Sequence, residues 1–392
     1  MVFVGTGGKG RHNMREFLKH PDVRVVGICD VDDRHLAEGE KTLKEARGLK
    51  VQAERDYRRL LERPDVDAVV VSTPDHWHAV ASVDAMNAGA DVYCEKPLAN
   101  SVAEGRKMVD TALAQKRVVQ CGSQERSNPK VRYACELVRS GALGTIREVR
   151  VGMPTEQNHH QKVAAYGKTP QPTRPPNELD YDRWLGPTPW VPHVADRVHF
   201  WWRFVLAYGG GEMTDRGAHI LDLAGLALDR DDTTPTKIMA VGNRNPNGLY
   251  DAFMDYVFVN EYSDGLRIVG VDEGPRGIEF IGDAGKLAVR IHGGKLVAEP
   301  NDLVSPDAIN EGPLGRTPSH HRNFLDCMKS RETPMAPVAA AHRTATLCHL
   351  NNIAMRLGRP LEFDPDTETV KQDDEANQLL APEQRKQFTY GA

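Results

Sequence analysis

The sequence predicts an α/β protein with two domains: an N-terminal Rossmann-type domain with a parallel, doubly wound sheet, and a C-terminal α/β domain with a large, open, mostly antiparallel sheet. Three observations lead to this prediction. The 392 residues are enough for two domains. Short apolar runs alternate with amphipathic helical stretches over residues 1–124, as in a parallel sheet covered on both faces. Residues 237–291 instead show runs with a period of two, which is typical of antiparallel strands.

In the first domain, predicted over residues 1–124, each apolar run has the length of a buried strand. The predicted strands are 1–4, 23–29, 68–72, 91–94 and 118–121, and the clearest helices are 11–19, 78–88 and 102–115. Because the carboxyl ends of parallel strands meet at one edge of the sheet, we expect the residues that follow them to surround a ligand.

The second domain is predicted over residues 125–392. A helix (131–140) and a strand (146–151) open it, and its sheet is predicted from the runs 237–241, 255–261, 266–271, 278–281 and 287–291. Residues 154–200 are rich in Pro, His and Trp with little periodicity, and a loop of this length favours a binding role. We expect helices within about 319–358 to pack back on the first domain, and the last thirty or so residues to form an arm or a loose tail.

A glycine-rich turn follows the first predicted strand. Gly5, Gly7 and Gly10 form a G-x-G-x-x-G motif, and Asp30 closes the second predicted strand. In the dinucleotide-binding fingerprint the first glycine allows a tight turn, the second lets the backbone approach a pyrophosphate, and the third lets helix and strand pack closely. The free N–H groups at the start of the following helix favour a bound phosphate. We therefore predict that this turn binds a dinucleotide.

The predicted cofactor is NAD, with NADP less favoured. Asp30 is placed to hydrogen-bond the ribose hydroxyls and would repel a 2′-phosphate, and its next three neighbours add no cation, although Arg34 follows. For His76 and His78, packing at the start of a helix is an equally good interpretation. The predicted cofactor-binding residues are Gly5, Gly7, Gly8, Lys9, Gly10, Asp30, Thr73, Pro74, His76, His78, Glu95, Lys96 and Gln124.

Two further motifs carry candidate catalytic residues. Lys96, in Glu95-Lys96-Pro97, ends a predicted strand, where an ammonium group can hydrogen-bond a substrate hydroxyl and stabilise developing negative charge. Asp215 and His219 follow three glycines and would share one face of a helix. A carboxylate beside an imidazole would raise the pKa of the imidazole and suit it to accept a hydroxyl proton. A surface ion pair or a structural histidine would show the same spacing.

Together, the glycine turn, Glu95-Lys96-Pro97 and the G-G-G-x-x-x-D-x-G-x-H run at 209–219 resemble the Gfo/Idh/MocA family, named for glucose–fructose oxidoreductase, inositol dehydrogenase and rhizopine catabolism. The resemblance implies an N-terminal Rossmann domain, a C-terminal domain with a large open sheet, and oxidation or reduction of a sugar or cyclitol carbon with NAD or NADP. It implies that Lys96 is the family's lysine, Asp215 its acid and His219 its proton-transferring histidine.

Aromatic and basic residues cluster before the glycine run at 209–211. Aromatic faces pack on sugar rings, and His or Arg can hydrogen-bond hydroxyls, although an aromatic run also suits a core. The predicted substrate-binding residues are Trp202, Arg203, His199, Lys96 and His219. The histidine pairs at 159–160 and 320–321 have no convincing set of further ligands, so no metal is predicted.

Composition excludes several kinds of partner. A net charge of −5 argues against nucleic acid or an anionic membrane, and no run approaches the roughly 20 apolar residues of a membrane span. The six cysteines are scattered, with no C-x-x-C, which favours reduced thiols and a cytoplasmic protein; a periplasmic one is the alternative if an export signal was removed. The outer face of an open sheet is usually covered by another subunit, so we expect a homodimer or homotetramer.

Three functions are compatible with these motifs. The leading one is an NAD-dependent oxidoreductase that transfers a hydride between nicotinamide and a hydroxyl-bearing carbon of a sugar, sugar derivative or polyol. The alternative is a glycosidase or lyase that uses tightly bound NAD for transient oxidation and elimination, and net NADH formation separates the two. The third is a non-catalytic, cofactor-binding regulator, against which the intact set of Lys96, Asp215 and His219 counts.

Overall fold

The computed structural model describes residues 1–165, 170–245, 247–292, 295–304 and 319–390, and these residues form two sheets. The first sheet has six strands and the second has nine. This arrangement confirms the predicted fold class: a parallel, doubly wound sheet followed by an α/β region whose sheet is mostly antiparallel. No helix among the described residues is long and apolar enough to span a bilayer.

The first sheet is parallel throughout, with the strand order β3-β2-β1-β4-β5-β6. Its elements in chain order are β1 (Val2–Val4), α1 (Gly8–Leu18), β2 (Gly27–Cys29), α2 (Asp33–Arg47), β3 (Gln52–Glu54), α3 (Arg58–Leu61), β4 (Ala68–Val71), α4 (His78–Asn87), β5 (Asp91–Cys94), α5 (Val102–Gln115) and β6 (Val119–Cys121).

The two central strands, β1 and β4, are fully buried, which is why they appear as unbroken apolar runs. The strand order reverses between them, and ligands of doubly wound sheets bind at this switch point. Strand β3 was not predicted, because its residues are polar and only partly buried at the edge of the sheet.

The second sheet has the order β13-β12-β11-β7-β10-β9-β8-β14-β15. Among the described strands of this second sheet, only β7 and β10 pair in parallel. The elements in chain order are α6 (Pro129–Arg139), β7 (Ile146–Gly152), α7 (Gln157–Ala165), α8 (Tyr181–Leu185), α9 (Glu212–Asp215), α10 (Gly217–Leu228), β8 (Lys237–Asn243), β9 (Met254–Glu261), β10 (Arg267–Val271), β11 (Gly277–Gly282), β12 (Lys286–Arg290), β13 (Leu296–Glu299), α11 (His320–Ser330), α12 (Val338–Leu357), β14 (Leu361–Asp364), β15 (Thr369–Val370) and α13 (Asp374–Leu380).

The two faces of this sheet differ. Helices α6, α10 and α12 cover one face and share its apolar core. On the strands β8, β9 and β13 the alternate side chains Val241, Val257 and Val297 are exposed, at 67%, 45% and 47%. Val241 and Val257 lie opposite each other on the paired strands β8 and β9, whereas Val297 lies on the edge strand β13 at the other side of the sheet. The exposed valines of β8 and β9 are a candidate contact surface.

Of the two predicted alternatives for the C-terminal segment, the structure shows an ordered arm and not a loose tail. It forms β14, β15 and α13, and its last described turn returns to the first sheet. The ring of Phe388 lies 5.7 Å from that of Trp77, and the amide of Gln384 donates a 2.7 Å hydrogen bond to Glu104. A few apolar anchors among polar neighbours hold the segment, which a compositional argument does not detect. Helix α11 also contacts the first domain, where Phe324 packs 6.1 Å from Phe17.

Candidate active site

A cavity of about 530 Å³ lies at the carboxyl edge of the first sheet. Residues that follow the first sheet in the chain, among them Trp184, Arg203 and His219, close its other side. It brings most of the predicted site residues together. Of the predicted residues, the cavity is lined by Gly5, Gly7, Gly8, Lys9, Asp30, Thr73, Pro74, Glu95, Lys96, Gln124, His199, Trp202, Arg203, Asp215 and His219. Gly10, His76 and His78 lie outside its lining.

The glycine turn forms one end of the cavity. Gly5 has a φ of 85°, and a Cβ on Gly10 would lie 1.9 Å from the carbonyl oxygen of Gly5, so this glycine is needed for packing of α1 on the turn. A Cβ on Gly8, by contrast, would meet no atom within 4 Å. No side chain caps α1 at Gly7, so its first N–H groups are free for a ligand. This open helix start fits a diphosphate.

Asp30 lies beside the turn, at the end of β2. Its Oδ2 accepts a 2.8 Å hydrogen bond from the Thr6 N–H and its Oδ1 accepts one of 3.0 Å from the Asp32 N–H. His35 Nδ1 is 3.5 Å from Oδ2, and the hydrogen bond to Asp30 raises the pKa of His35. The carboxylate is therefore held in place at the cavity edge, where a ribose would lie. The spacing from Asp30 to His35 gave no indication of this contact.

His199 lies at this same end rather than beside Lys96, which corrects its predicted role in substrate binding. Its Nε2 is 3.4 Å from Asp32 Oδ2, and its ring centroid is 5.0 Å from that of His35. Burial lowers the pKa of His199. Ligand atoms of Asp32, His35 and His199 lie within 4.8 Å of one another, as metal ligands do. Both oxygens of Asp32 already accept hydrogen bonds from Arg34, so this group is an ion-pair cluster.

His76 and His78 have structural contacts, which corrects the prediction that they bind the cofactor. His76 Nε2 donates a 2.9 Å hydrogen bond to the carbonyl of Trp184, and burial lowers the pKa of His76 to about 4. The two ring nitrogens of His78 face the carbonyls of Pro97 and Thr73, at 2.7 and 3.0 Å. Packing at the start of a helix is thus the better interpretation of both histidines.

Lys96 lies at the other end of the cavity. Its Nζ donates to the Asp215 carboxylate at 2.7 Å and to the Asp215 carbonyl at 2.9 Å. An ammonium group has three donors, so one N–H remains for a ligand. Burial alone would raise the pKa of Asp215, but the positive charges of Lys96, Arg203 and Arg216 lower it well below its usual range. Asp215 is therefore a carboxylate that holds the lysine.

The predicted pairing of Asp215 with His219 is not present. The two residues lie on different helices, α9 and α10, which meet at Arg216, and Asp215 faces the cations instead. The pKa of His219 is lowered well below its usual value, by burial first and then by the charge of Lys96, so the prediction of a raised pKa is wrong. His219 is 9% exposed, and its buried Nδ1 has no hydrogen-bond partner among the described residues. Because the ring lines the cavity, Nε2 is the nitrogen left to face it.

Arg203 and Trp202 lie beside this centre. The guanidinium of Arg203 is 4.5 Å from the Trp202 ring centroid and 3.7 Å from Asp215 Oδ1. Asp75 also lines the cavity, and burial raises its pKa well above the usual value. A cation on an aromatic face beside a buried acid gives this end of the cavity both apolar and hydrogen-bonding surface.

No role was predicted from the sequence for Glu125 and His292, two residues that line the cavity. Glu125 Oε1 lies 3.1 Å from His292 Nδ1, and the two residues are 167 positions apart. Nothing in the sequence indicates that the turn after β12, which carries His292, returns to the site.

The histidine pairs considered for metal binding have other partners. His159 lies 3.3 Å from Glu212 and His160 lies 3.0 Å from Asp255. His320 contacts the Cys121 carbonyl at 2.8 Å, while His321 lies 3.3 Å from the side-chain oxygen of Asn13. These rings serve packing and ion pairing between segments.

The cavity has the features that NAD requires. It combines an open helix start at Gly7, a fixed carboxylate at Asp30 and a buried Thr73 hydroxyl that has no partner among the described residues. The helix start at Gly7 would hold the diphosphate, Asp30 the adenosine ribose, and Thr73 the nicotinamide side of the cofactor.

Comparison with known proteins agrees with this geometry. The family model for an oxidoreductase family with an NAD-binding Rossmann fold matches residues 1–123, and the model for that family's C-terminal alpha/beta domain matches residues 127–390. An alpha-N-acetylgalactosaminidase from Shewanella oneidensis is 31% identical over 150 residues, which are 37% of this chain and 32% of that protein. The chain thus matches about a quarter to a third of the length of such curated relatives.

Solved structures show the same fold over nearly the whole chain. The WlbA dehydrogenase from Chromobacterium violaceum, in complex with NADH and UDP-GlcNAcA, has a TM-score of 0.66 at 20% identity and is covered over 95% of its length by 93% of this chain. A levoglucosan dehydrogenase, in complex with NADH and L-sorbose, has a TM-score of 0.65 at 17% identity. The match covers 97% of that protein and 92% of this chain. With both family models matched in order across the two sheets, the chain belongs to the Gfo/Idh/MocA family of NAD-binding oxidoreductases.

Proposed function

We propose that this protein oxidises or reduces a hydroxyl-bearing carbon of a sugar, sugar derivative or polyol. The observation that carries the proposal is the position of Lys96, Asp215 and His219 in one cavity with the glycine turn and Asp30. NAD, when bound, supplies the nicotinamide that exchanges a hydride with the substrate. The solved relatives with sugar ligands support the substrate class.

Lys96 would hold the reacting oxygen. Two of its three N–H groups bond to Asp215, which fixes the direction of the third. A positioned cation stabilises the negative charge that develops on the oxygen as its proton leaves. Asp215 acts through Lys96 and is a positioning residue.

His219 would accept the hydroxyl proton at Nε2. Its lowered pKa keeps the ring neutral at pH 7, and a neutral imidazole has one nitrogen able to accept a proton. Trp202 and Arg203 would form the substrate wall, with the ring on an apolar sugar face and the guanidinium on hydroxyls. His199, which lies near Asp32, would instead contact the ribose side of the cofactor.

The test is a substrate panel. Purified protein with NAD is mixed with sugars, cyclitols and sugar nucleotides, and absorbance at the NADH wavelength is followed. We expect steady NADH formation with at least one member. A protein that binds NAD but changes the redox state of no panel member would contradict the proposal and favour a non-catalytic regulator.

The glycosidase alternative is retained because of one observation, the 31% identity to an alpha-N-acetylgalactosaminidase over 150 residues. That match covers 32% of the relative. An enzyme of this type would oxidise a sugar hydroxyl, eliminate a substituent from the neighbouring carbon and then return the hydride. Cleavage of chromogenic glycosides with no net NADH would favour this alternative over the dehydrogenase.

We also propose that the exposed face of β8 and β9, with Val241 and Val257, is the contact surface of a homodimer or homotetramer. The support is the exposure of these two paired valines on one side of a sheet whose other side is covered by helices. Light scattering of wild type and Val241→Lys tests this proposal. We expect the lysine charge to disrupt the contact, so that Val241→Lys has the molecular mass of a monomer while wild type has that of an oligomer.

A further inference from the structure

A second imidazole lies against His219 and has no part in the reaction proposed above. His292 follows β12 and has a φ of 58°, in the left-handed region that residues other than glycine seldom adopt. Its ring stands edge-on to that of His219, with the centroids 5.2 Å apart, and both rings line the cavity. Strained residues in a cavity are candidates for function.

Glu125 fixes the orientation of His292. Its Oε1 lies 3.1 Å from His292 Nδ1 and accepts a 3.2 Å hydrogen bond from the His292 backbone N–H. A histidine whose Nδ1 proton is held by a carboxylate presents Nε2 as its acceptor. This is the acid-oriented imidazole that the sequence suggested at Asp215 and His219, located on two other residues.

The two imidazoles differ in their access to solvent. His219 is 9% exposed, whereas the side chain of His292 is 42% exposed. Burial and the positive charge of Lys96 lower the pKa of His219, so this ring readily gives up a proton it has taken. The carboxylate of Asp215 is held by Lys96 and nearby arginines, which leaves it a poor acceptor.

We propose that His292, held by Glu125, carries the substrate proton from His219 to solvent. The proposal rests on the proposed function, since it needs a hydroxyl oxidised in each turnover. The hydroxyl proton passes to His219 Nε2 while the hydride goes to the bound NAD. The proton then moves through a bridging water to His292 Nε2 and on to bulk water. The Nδ1 proton of His292 stays on the ring, hydrogen-bonded to the Glu125 carboxylate, throughout. Glu125 is therefore a positioning residue.

The first test is kinetic and uses the full chain with NAD and an active panel substrate. In a dilute, bulky buffer we expect turnover of His292→Ala to fall about a hundredfold, the low end for a lost proton-transfer group. The amount of NADH formed in the first turnover stays unchanged, since His219 can still take one proton. Added imidazole restores turnover in a saturable manner. Lys295→Ala, on the same hairpin, is the matched control and keeps wild-type turnover.

Two kinetic outcomes overturn the proposal. One is wild-type turnover of His292→Ala in the dilute buffer. The other is a loss of the first turnover with no recovery in imidazole, which would mean that His292 only shapes the site. Absence of NADH in the wild type with every panel member would instead reject the proposed function.

A second measurement does not depend on turnover. Nitrogen-15 chemical shifts of the imidazoles in the NAD-loaded protein report which ring nitrogen carries the proton. We expect His292 to be protonated at Nδ1 in wild type and to populate both tautomers in Glu125→Gln. Identical tautomer signals in the two proteins would show that Glu125 does not orient His292, and would overturn the proposal whatever the substrate is.

Discussion

The two ends of the cavity are built differently. At the cofactor end, the glycine turn and Asp30 come from the first thirty residues and are joined by hydrogen bonds such as Thr6 to Asp30. At the substrate end, Lys96 meets Asp215 across 119 positions and Glu125 meets His292 across 167. The first end is a local motif on adjacent strands, and the second depends on how two sheets pack together. A motif can therefore identify residues at the substrate end without identifying their partners.

The largest effect is expected at the substrate end. Lys96→Met removes the cation that would hold the reacting oxygen, and we expect kcat/KM to fall about a thousandfold. Binding of NAD, measured by calorimetry, falls far less than kcat/KM because the glycine turn and Asp30 are untouched. Lys130→Met, an exposed lysine on α6, is the control. Full activity of Lys96→Met would remove the lysine from the mechanism.

The cofactor end can be tested with two glycines of one turn. Gly10→Ala places a Cβ 1.9 Å from the Gly5 carbonyl oxygen, and we expect a loss of about 3 kcal/mol in unfolding free energy. Gly8→Ala meets no atom within 4 Å and leaves stability close to wild type. Urea denaturation of the NAD-free proteins measures both. Equal stabilities would show that the packing role of Gly10 is wrong.

His76 donates a hydrogen bond to the Trp184 carbonyl, and its buried ring makes the free energy of unfolding depend on pH. Its pKa is about 4 in the folded protein because of burial, against about 6.5 when unfolded. Between these values only the unfolded chain binds the proton, so stability falls as the pH falls. We expect His76 to account for about 2 kcal/mol of the loss between pH 7 and pH 5. Urea midpoints of His76→Gln should decline less over this range than those of wild type; parallel declines would contradict the assignment.

The smallest expected effect concerns cofactor choice. Asp30→Ala removes the carboxylate that would bond the ribose, and we expect NAD affinity to fall about tenfold while NADP affinity changes little or improves. Asp110→Ala, which removes an exposed carboxylate on α5 outside the cavity lining, is the control. Fluorescence titration with both cofactors measures the ratio. An unchanged ratio in Asp30→Ala would assign selectivity to another group, with His35 the nearest candidate.

Local pattern was sufficient wherever burial or backbone geometry alone decides the structure. The central strands are apolar because both faces are covered, and Gly5 and Gly10 are required by a positive φ and by a close approach. The edge strand β3 and the C-terminal anchor Phe388 were missed, since each is a short or isolated feature among polar neighbours.

Side-chain partners were harder to predict than residue identities. Four-residue spacing placed Asp215 and His219 on one helix face, but the helices break at Arg216 and three cations compete for the carboxylate. The contact of Glu125 with His292 depends on tertiary packing between two sheets, for which no spacing in the chain is a guide.

Two backbone hydrogen bonds have a consequence for any attempt to divide the chain. Asp180 donates its N–H to the Val31 carbonyl at 2.9 Å, and Asp33 donates its N–H to the Glu178 carbonyl at 3.0 Å, so the segment before α8 lies across the end of β2. A fragment cut near residue 124 would leave both groups on the β2 side without these partners. In the isolated N-terminal fragment, the backbone next to Asp30 would lack these two hydrogen bonds, although the G-x-G-x-x-G motif is complete.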